Sequence, residues 1–312
     1  MTHPTSQPRI SPPLALLFGI LAVSTSSIFV RFAQQEAPSL VIAAVRLALA
    51  ALILAAPALM RRRAELTTLT GRQLRLLALS GVFLALHFAS WITSLELTTV
   101  ASSVVLVTTT PLWVAILSPF VLHERIAPAV WVGMVVALAG GLIVGLRESC
   151  QITGFQLSCG GLFDLSTGAS LQGNLLALVG AWMAAGYLTI GRQVRGSLSL
   201  VTYTFLVYGV AAVVLVMLAL AAGQPLVGYS PQTVGWLVAL AVIPQLLGHS
   251  TFNWALRYLP AAYVSIALLG EPIGTTILAM LFLRESPAPA EVLGGVLILA
   301  GIYLAAQRSG KS

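Results

Sequence analysis

Long apolar runs alternate with short polar stretches along the whole chain. A helix needs about 20 apolar residues to cross the hydrocarbon core of a bilayer, and ten runs of this kind fit the sequence. Helices are the expected form, because lipid cannot satisfy the hydrogen bonds of an open strand edge. The predicted segments, numbered 1 to 10 in chain order, are 12–32, 38–60, 74–95, 98–121, 127–146, 173–191, 199–222, 232–256, 260–283 and 289–307.

The composition agrees with a chain that is solvated mostly by lipid. Of its 312 residues, 58% are hydrophobic and 8% are charged, whereas soluble proteins carry about 25% charged residues. The net charge of +7 does not indicate nucleic-acid binding, because the basic residues lie where the positive-inside rule places them. We expect segment 1 to be retained as a helix, since it is too long and too rich in serine for a cleaved signal peptide.

The distribution of charge predicts the orientation of the chain. With the N-terminus in the cytoplasm, 12 of the 16 basic residues lie on the cytoplasmic side. Ten segments then return the C-terminus to the cytoplasm. The loop 147–171 is extracytoplasmic and holds both cysteines, Cys150 and Cys159. In an oxidising compartment they form a disulfide; the alternative is two unpaired thiols.

The second half of the chain repeats the first at a shift of 161 residues. When residues 94–144 are placed on 255–305, 15 of the 51 positions are identical, including the pair Pro111 and Pro272. Internal repeats of this kind are typical of secondary transporters, whose substrate sites lie between the halves near the bilayer midplane. The predicted domains are two five-helix repeats, 12–146 and 172–308, joined by the 147–171 linker.

An odd number of helices in each repeat predicts that the second repeat crosses the membrane in the opposite direction to the first. The turn after segment 3 carries Glu96, and the equivalent turn after segment 8 carries Arg257. Opposite charges at equivalent positions are what the positive-inside rule requires of turns on opposite sides. The predicted fold is therefore an all-α polytopic membrane protein whose ten transmembrane helices form two inverted five-helix repeats.

Three stretches carry a resemblance to a known family. SSIFVRFAQQEAPSLVIAAVRLALAALIL, TTTPLWVAILSPFVLHE and LLGEPIGTTILAMLFLRE resemble signatures of the drug/metabolite transporter superfamily, in a ten-helix form with two EamA-type repeats. The resemblance implies export of small metabolites, often amino acids, by alternating access. It implies that segments 1, 3, 4, 6, 8 and 9 surround a central cavity. The first repeat departs from the second, because Thr110 precedes Pro111 where Glu271 precedes Pro272.

Glu271 and Arg46 are the charged residues expected inside the membrane. A buried acid is a candidate for substrate binding, proton coupling or gating; alternatively, Glu271 bonds a backbone amide of segment 4 and holds the halves together. Pro272 and Pro111 mark helix discontinuities. For Arg46 we favour a structural role, by snorkelling to the outer interface or by pairing with Glu96. A contact with a substrate carboxylate is the alternative.

Polar and aromatic residues form one-sided stripes on segments 3 and 8. Stripes of this kind must face protein or water, and we expect both to face the central cavity rather than to serve only as interhelical hydrogen bonds. His87 and His249 are further candidates for proton coupling. The predicted substrate-binding residues are Ser26, His87, Ser90, Trp91, Ser94, Ser103, Trp182, Tyr187, Gln245, His249, Asn253 and Tyr263.

The sequence contains none of the motifs of several other classes. It has no phosphate-binding loop of an ATP-driven pump, no metal-ligand spacing and no serine-hydrolase elbow, so we predict no cofactor, no metal and no enzyme activity. Glycine pairs in segments 5 and 10 predict helix packing, within one chain or in a homodimer. The predicted function is export of small polar metabolites across the inner membrane, with proton coupling and facilitated flux both open. An intramembrane enzyme and a non-transporting receptor or scaffold are the alternatives.

Overall fold

Helices fill nearly all of the chain. A computed structural model describes residues 10–98, 103, 106–124, 126–153, 156–159, 168–271, 273–274, 277–278 and 289–306. Every predicted segment coincides with helix in this part of the chain, although segments 4 and 9 are described only in part. Pro272, predicted as a helix discontinuity, lies outside the described residues.

The helix bounds follow the prediction to within a few residues. Segment 1 is two helices, Pro12–Val23 and Ser26–Ala33, and segment 8 is three consecutive pieces, the α-helix Pro231–Leu240, the π-helix Ala241–His249 and the α-helix Ser250–Ala255. Segment 9 is an α-helix, Ala261–Ala267, followed by a 3₁₀ turn, Leu268–Gly270. The remaining helices are Ser39–Arg61, Gly71–Leu97, Thr110–Val121, Pro128–Ser149, Gly168–Arg195, Leu200–Ala221 and Pro289–Ala306 for segments 2, 3, 4, 5, 6, 7 and 10, and Arg63–Thr67 between segments 2 and 3.

Six of the described helical stretches are long and apolar enough to cross a membrane, namely segments 1, 2, 3, 6, 7 and 8. Segments 4, 5, 9 and 10 are shorter apolar helices within the described residues. Large apolar side chains cover the outer surface: Phe18, Val135 and Tyr303 are 65%, 63% and 65% exposed. The protein is therefore a polytopic, essentially all-α membrane protein, and the number of ten spans remains a prediction.

Acidic side chains cap helix N-termini that belong to other parts of the chain. Glu65 accepts hydrogen bonds from the Ser199 amide at 2.6 Å and the Thr202 hydroxyl at 2.8 Å, at the start of segment 7. Glu36 binds Ser230 in the same way at the start of segment 8. The first turn of a helix has amide groups without intrahelical partners, which a carboxylate satisfies.

Residues 147–153 and 156–159 of the predicted linker loop form a helix end and two strands. Segment 5 continues to Ser149, and a hairpin of β1 (Cys150–Thr153) and β2 (Gln156–Cys159) follows directly. The antiparallel register places Cys150 opposite Cys159. Directly opposed residues are close enough in the backbone for a disulfide, so the predicted pairing remains open and geometrically accessible.

Equivalent segments of the two halves pack against each other: segment 2 contacts 7, segment 4 contacts 9, and segment 5 contacts 10. Segment 3 packs on segment 6, and their counterparts, segments 8 and 1, also pack together. If each segment is replaced by its equivalent in the other half, the same pairs of segments are in contact. The contacts therefore have an approximate two-fold relation between the halves.

Glycines show the direction in which segments 5 and 10 cross. A Cβ built on Gly133 would lie 2.5 Å from the carbonyl oxygen of Gly301, and one on Gly140 would lie 2.5 Å from that of Gly294. Position 133 thus meets 301 while 140 meets 294, so the two helices run antiparallel. Gly133 and Gly140 are equivalent to Gly294 and Gly301 by the shift of 161 residues. The predicted glycine packing therefore lies within one chain, and a homodimer remains a prediction.

Candidate functional site

Arg46 lies at the centre of the helix bundle. Its side chain is fully buried. The Nε–H donates to Oε1 of Gln245 at 2.8 Å, and Nη1 donates to the Ser26 hydroxyl at 3.1 Å. The guanidinium also lies over the ring of Phe88, 4.3 Å from its centroid. This position differs from the expected one, because Arg46 reaches no interface and Glu96 instead accepts hydrogen bonds from Ser39 at the start of segment 2.

Interrupted helices bring the partners of Arg46 together. Segment 1 breaks at Ser24 and Thr25, and the Ser24 hydroxyl donates to the carbonyl of Ile20 at 2.7 Å and to that of Glu271 at 3.0 Å. Gln245 lies on the π-helix of segment 8, directly after Pro244, which has no amide hydrogen to donate. Single-turn π insertions in α-helices occur frequently at functional sites. At these breaks, backbone polar groups inside predicted membrane segments lack the regular hydrogen bonds of an α-helix.

Glu271 is the acidic group of this centre. It follows the 3₁₀ turn of segment 9 and is half-buried. Its backbone carbonyl accepts a hydrogen bond from the Ser24 hydroxyl at 3.0 Å, two residues before Ser26, which bonds Arg46. A charge in the hydrocarbon core costs about 2.5–3.5 kcal/mol on insertion scales, and opposite charges at one depth offset part of that cost. The centre thus combines one cation from the first half with one acid from the second.

Two donor atoms of the Arg46–Gln245 pair have no hydrogen-bond partner among the described residues. These are Nη2 of Arg46 and Nε2 of Gln245, both buried. The indole Nε1 of Trp91, also buried, is unpartnered as well. A buried donor left without an acceptor costs about 1–3 kcal/mol. All three atoms are donors, so the centre is short of hydrogen-bond acceptors.

Aromatic rings line up beside the polar centre on segments 3 and 8. The Phe88 and His249 rings meet edge to face with centroids 5.3 Å apart, and these two positions are equivalent by the shift of 161. The His87 ring stacks parallel to Trp91 at 6.1 Å, and its Nδ1 lies 2.9 Å from the Gly180 carbonyl oxygen. The predicted stripes therefore meet each other, and Phe88, which is not among the predicted binding residues, lies at their contact.

Two of the predicted binding residues belong to a separate network whose hydrogen bonds are complete. The Tyr187 hydroxyl donates to Oδ1 of Asn253 at 2.6 Å, and Nδ2 of Asn253 donates to the Tyr208 hydroxyl at 3.2 Å. Tyr208 also lies 3.2 Å from the Ser250 hydroxyl. Among the described residues, no buried polar side-chain atom of Tyr187 or Asn253 lacks a hydrogen-bond partner, so this network needs no ligand.

The other predicted residues are placed as follows. Ser90 donates to the carbonyl oxygen of Leu86 at 2.6 Å, while Ser94 and Ser103 lie 2.6 Å apart and bond to each other. Trp182 is 42% exposed and packs edge to face on Trp113. Tyr263 and Pro111 are buried, the latter in the first turn of segment 4. The structure thus gathers Arg46, Ser26, Gln245, His87, Trp91, His249 and Glu271 around the centre and leaves Trp182 at the surface.

Three residues that contact predicted site residues were not themselves among the predicted ones: Ser24, Phe88 and Tyr208. Ser24 is part of the STSS stretch of segment 1, so the cluster of hydroxyls was a signal for it. Phe88 is the repeat equivalent of His249, and comparison of the two stripes position by position would have found it. Tyr208 lies between apolar neighbours in segment 7, and no pattern around it indicates a partner.

The fold and the site together define a membrane protein with a buried polar centre assembled from two halves. A model of the EamA-like transporter family matches residues 11–146 and 171–307. The chain therefore belongs to the EamA-like transporter family of the drug/metabolite transporter superfamily. The two matched regions confirm the two EamA-type repeats.

Relatives of this chain are transporters by description. An "uncharacterized transporter" of Archaeoglobus fulgidus is 24% identical over 296 residues, which cover 93% of this chain and 96% of the relative. The "uncharacterized transporter YdfC" of Bacillus subtilis is 24% identical over 66% of this chain and 63% of its own. A solved structure, described as "crystal structure of protein", is 18% identical with a TM-score of 0.76 over 96% of this chain and 98% of that chain, and indicates the same fold.

Proposed function

We propose that this protein is a secondary transporter of the inner membrane that exports small polar metabolites by alternating access. The observation that carries the proposal is the buried polar centre, in which Arg46 and Ser26 come from the first half and Gln245 and Glu271 from the second. A site shared by two halves changes its exposure when one half rocks against the other.

The packing of the halves supports alternating access. Equivalent helices pack on each other, and segments 5 and 10 run antiparallel, which is the relation that two oppositely oriented repeats require. Among the described residues, two sets of hydrogen bonds between loops each join loops that the charge distribution places on the same side. Glu36 and Ser230 belong to predicted outer loops, whereas Glu65 and Ser199 belong to predicted cytoplasmic loops.

The direct test is untargeted efflux from vesicles. Purified protein is reconstituted into proteoliposomes that are loaded with a bacterial metabolite extract, and mass spectrometry follows which compounds leave with and without an imposed pH gradient. We expect one or a few small polar metabolites to leave faster than from protein-free vesicles. If no compound does so under either condition, the transport proposal fails.

Glu271→Gln tests coupling, with Glu96→Gln as the matched control. The first substitution removes the acid of the centre, and the second removes an acid that only caps segment 2 within the same half. Gradient-dependent efflux that is lost in Glu271→Gln and kept in Glu96→Gln assigns coupling to Glu271. Equal efflux in both variants leaves Glu271 with a structural role and moves coupling to His87 or His249. Hydrolysis of lipid or peptide that depends on His249 would instead support the intramembrane enzyme.

A further inference from the structure

The hydrogen bond between Arg46 and Gln245 fixes the orientation of the Gln245 amide. The Nε of arginine can only donate, so the Gln245 oxygen, 2.8 Å away, must face it. The amide nitrogen is then the atom of Gln245 that does not bond Arg46, and a flip of the amide would set two donors against each other. The unpartnered atom of Gln245 is therefore its nitrogen, a donor, and not its oxygen.

Arg46 and Gln245 differ from the other described residues because both members of one hydrogen-bonded pair have an unpartnered buried donor. Arg195 is also almost completely buried, yet its Nε donates to the Asn253 carbonyl at 2.8 Å and its Nη1 donates to the Leu198 carbonyl. The amide of Asn253 is bonded on both sides, to Tyr187 and to Tyr208. Trp91, Glu124, Thr189 and Gln224 each have one unpartnered buried atom as well, but none of these four is hydrogen-bonded to another residue of this kind among the described residues. Two free donors on one bonded pair therefore indicate a ligand.

The chemistry of the free atoms selects the ligand. Both are N–H donors, one is carried by a cation, and they belong to side chains already joined by a hydrogen bond, so they suit two oxygens of one planar anionic group. Glu271, whose backbone carbonyl bonds Ser24 beside the Ser26–Arg46 contact, disfavours a dianion such as phosphate. The rings of Phe88 and His249 and the indole of Trp91 favour a small body with a flat or apolar face.

We infer that Arg46 Nη2 and Gln245 Nε2 bind the carboxylate of a small monocarboxylic metabolite. That the ligand is a metabolite rests on the proposed transport function, whereas the carboxylate site rests only on the two unpartnered donors. Ser26, which accepts from Nη1, and the ring of Phe88 hold the guanidinium in place. The class of substrate is thus a carboxylic acid or amino acid, and not an amine, a sugar or a phosphate.

The test compares carboxylates with their own amides. Binding to the purified protein in nanodiscs is measured for a panel of amino acids and simple monocarboxylates, each paired with its primary amide, and for inorganic phosphate and sulfate. We expect at least one acid to bind and its amide to bind at least about tenfold more weakly, from the strength of charge-assisted hydrogen bonds. Equal affinity of acid and amide, preference for phosphate or sulfate, or no binding by any acid overturns the inference.

Two variants test the assigned atoms. Gln245→Glu is isosteric and keeps an oxygen facing Arg46, but it replaces the free donor by a second oxygen and neutralises the arginine. Arg46→Lys keeps the charge and loses the planar edge. Both are expected to reduce the acid-to-amide affinity ratio to about one, from the loss of the paired donors. The ratio is read on the folded fraction, so a partly misfolded variant still reports on the site.

Arg195→Lys is the matched control, because it alters a buried arginine whose nitrogens bond backbone carbonyls. It is expected to leave the ratio unchanged. A ratio that falls equally in all three variants would overturn the assignment to Arg46 and Gln245. Carboxylate binding without efflux of any metabolite would contradict the transport proposal and leave the carboxylate site standing. Efflux with no preference for acids over their amides would support transport and overturn the carboxylate site.

Discussion

Single side chains in the interior differ in whether their hydrogen bonds are complete. Tyr187 and Asn253 bond each other and Tyr208, so their polar atoms stabilise the fold without a ligand. Arg46 and Gln245 each keep one buried donor free. Both pairs are polar residues in apolar helices, and the sequence alone treats them alike, since a completed bond depends on which residue of another helix lies opposite.

Glu65 makes the stability of the protein depend on pH. Burial raises the pKa of Glu65, but its hydrogen bonds from Ser199 and Thr202 outweigh that effect and lower the pKa below its ordinary value of 4.5. A lowered pKa in the folded state means that the ionised form stabilises the fold above pH 4.5, and that this contribution is lost as pH falls through the folded-state pKa.

We therefore expect Glu65→Gln to lower the stability at pH 7 by about 1 kcal/mol, the usual effect of losing a helix cap near water. The difference between wild type and variant is expected to shrink toward zero as the pH falls below the pKa. Thermal unfolding in detergent from pH 7 to pH 3 measures it. A difference that stays constant over this range would contradict the capping role.

Whole helices meet through side chains too small to be noticed in a hydropathy profile. Gly140 faces the backbone of segment 10, where an added Cβ would lie 2.5 Å from the Gly294 carbonyl oxygen and 2.8 Å from the Ile298 amide nitrogen. Neither neighbour is a side chain that can turn away. The adjacent Gly141 has nothing within 4 Å of the same added atom.

This pair of neighbours gives a matched prediction. Gly140→Ala is expected to destabilise the protein by about 1–3 kcal/mol, the usual cost of overpacking. Gly141→Ala is expected to be neutral or to stabilise by up to about 1 kcal/mol, because alanine favours helix. Thermal unfolding of both variants decides between packing and helix propensity: if they behave alike, segments 5 and 10 do not cross as the structure has them.

At the scale of the molecule, equivalent loops of the two halves are expected on opposite sides of the membrane. The loop after segment 2 contains Arg63, and the equivalent loop after segment 7 contains Val227, which is 81% exposed. Single cysteines are introduced as Arg63→Cys and Val227→Cys after Cys150 and Cys159 are replaced by serine. A membrane-impermeant maleimide is expected to label position 227 in intact cells and position 63 only after lysis.

Labelling of both positions after lysis is the control for accessibility. Labelling of both in intact cells would contradict the inverted arrangement and with it the alternating-access model. The same result would also move the linker hairpin, whose position outside the membrane is the basis for a disulfide between Cys150 and Cys159.

Sequence alone determined the elements, the repeat and the family, because lipid imposes a length and a composition on every span and the repeat preserved glycines and prolines at fixed spacing. It also singled out Arg46 and Glu271, since charges in apolar runs are conspicuous. Only the tertiary structure decided that Arg46 turns inward to Gln245 and not outward to the interface or to Glu96. It also placed Tyr187 and Asn253 in a complete network and left two donors of the Arg46–Gln245 pair free. The physical reason is that hydrophobicity acts on each segment separately, whereas a buried hydrogen bond exists only when two distant helices bring a donor and an acceptor to the same place.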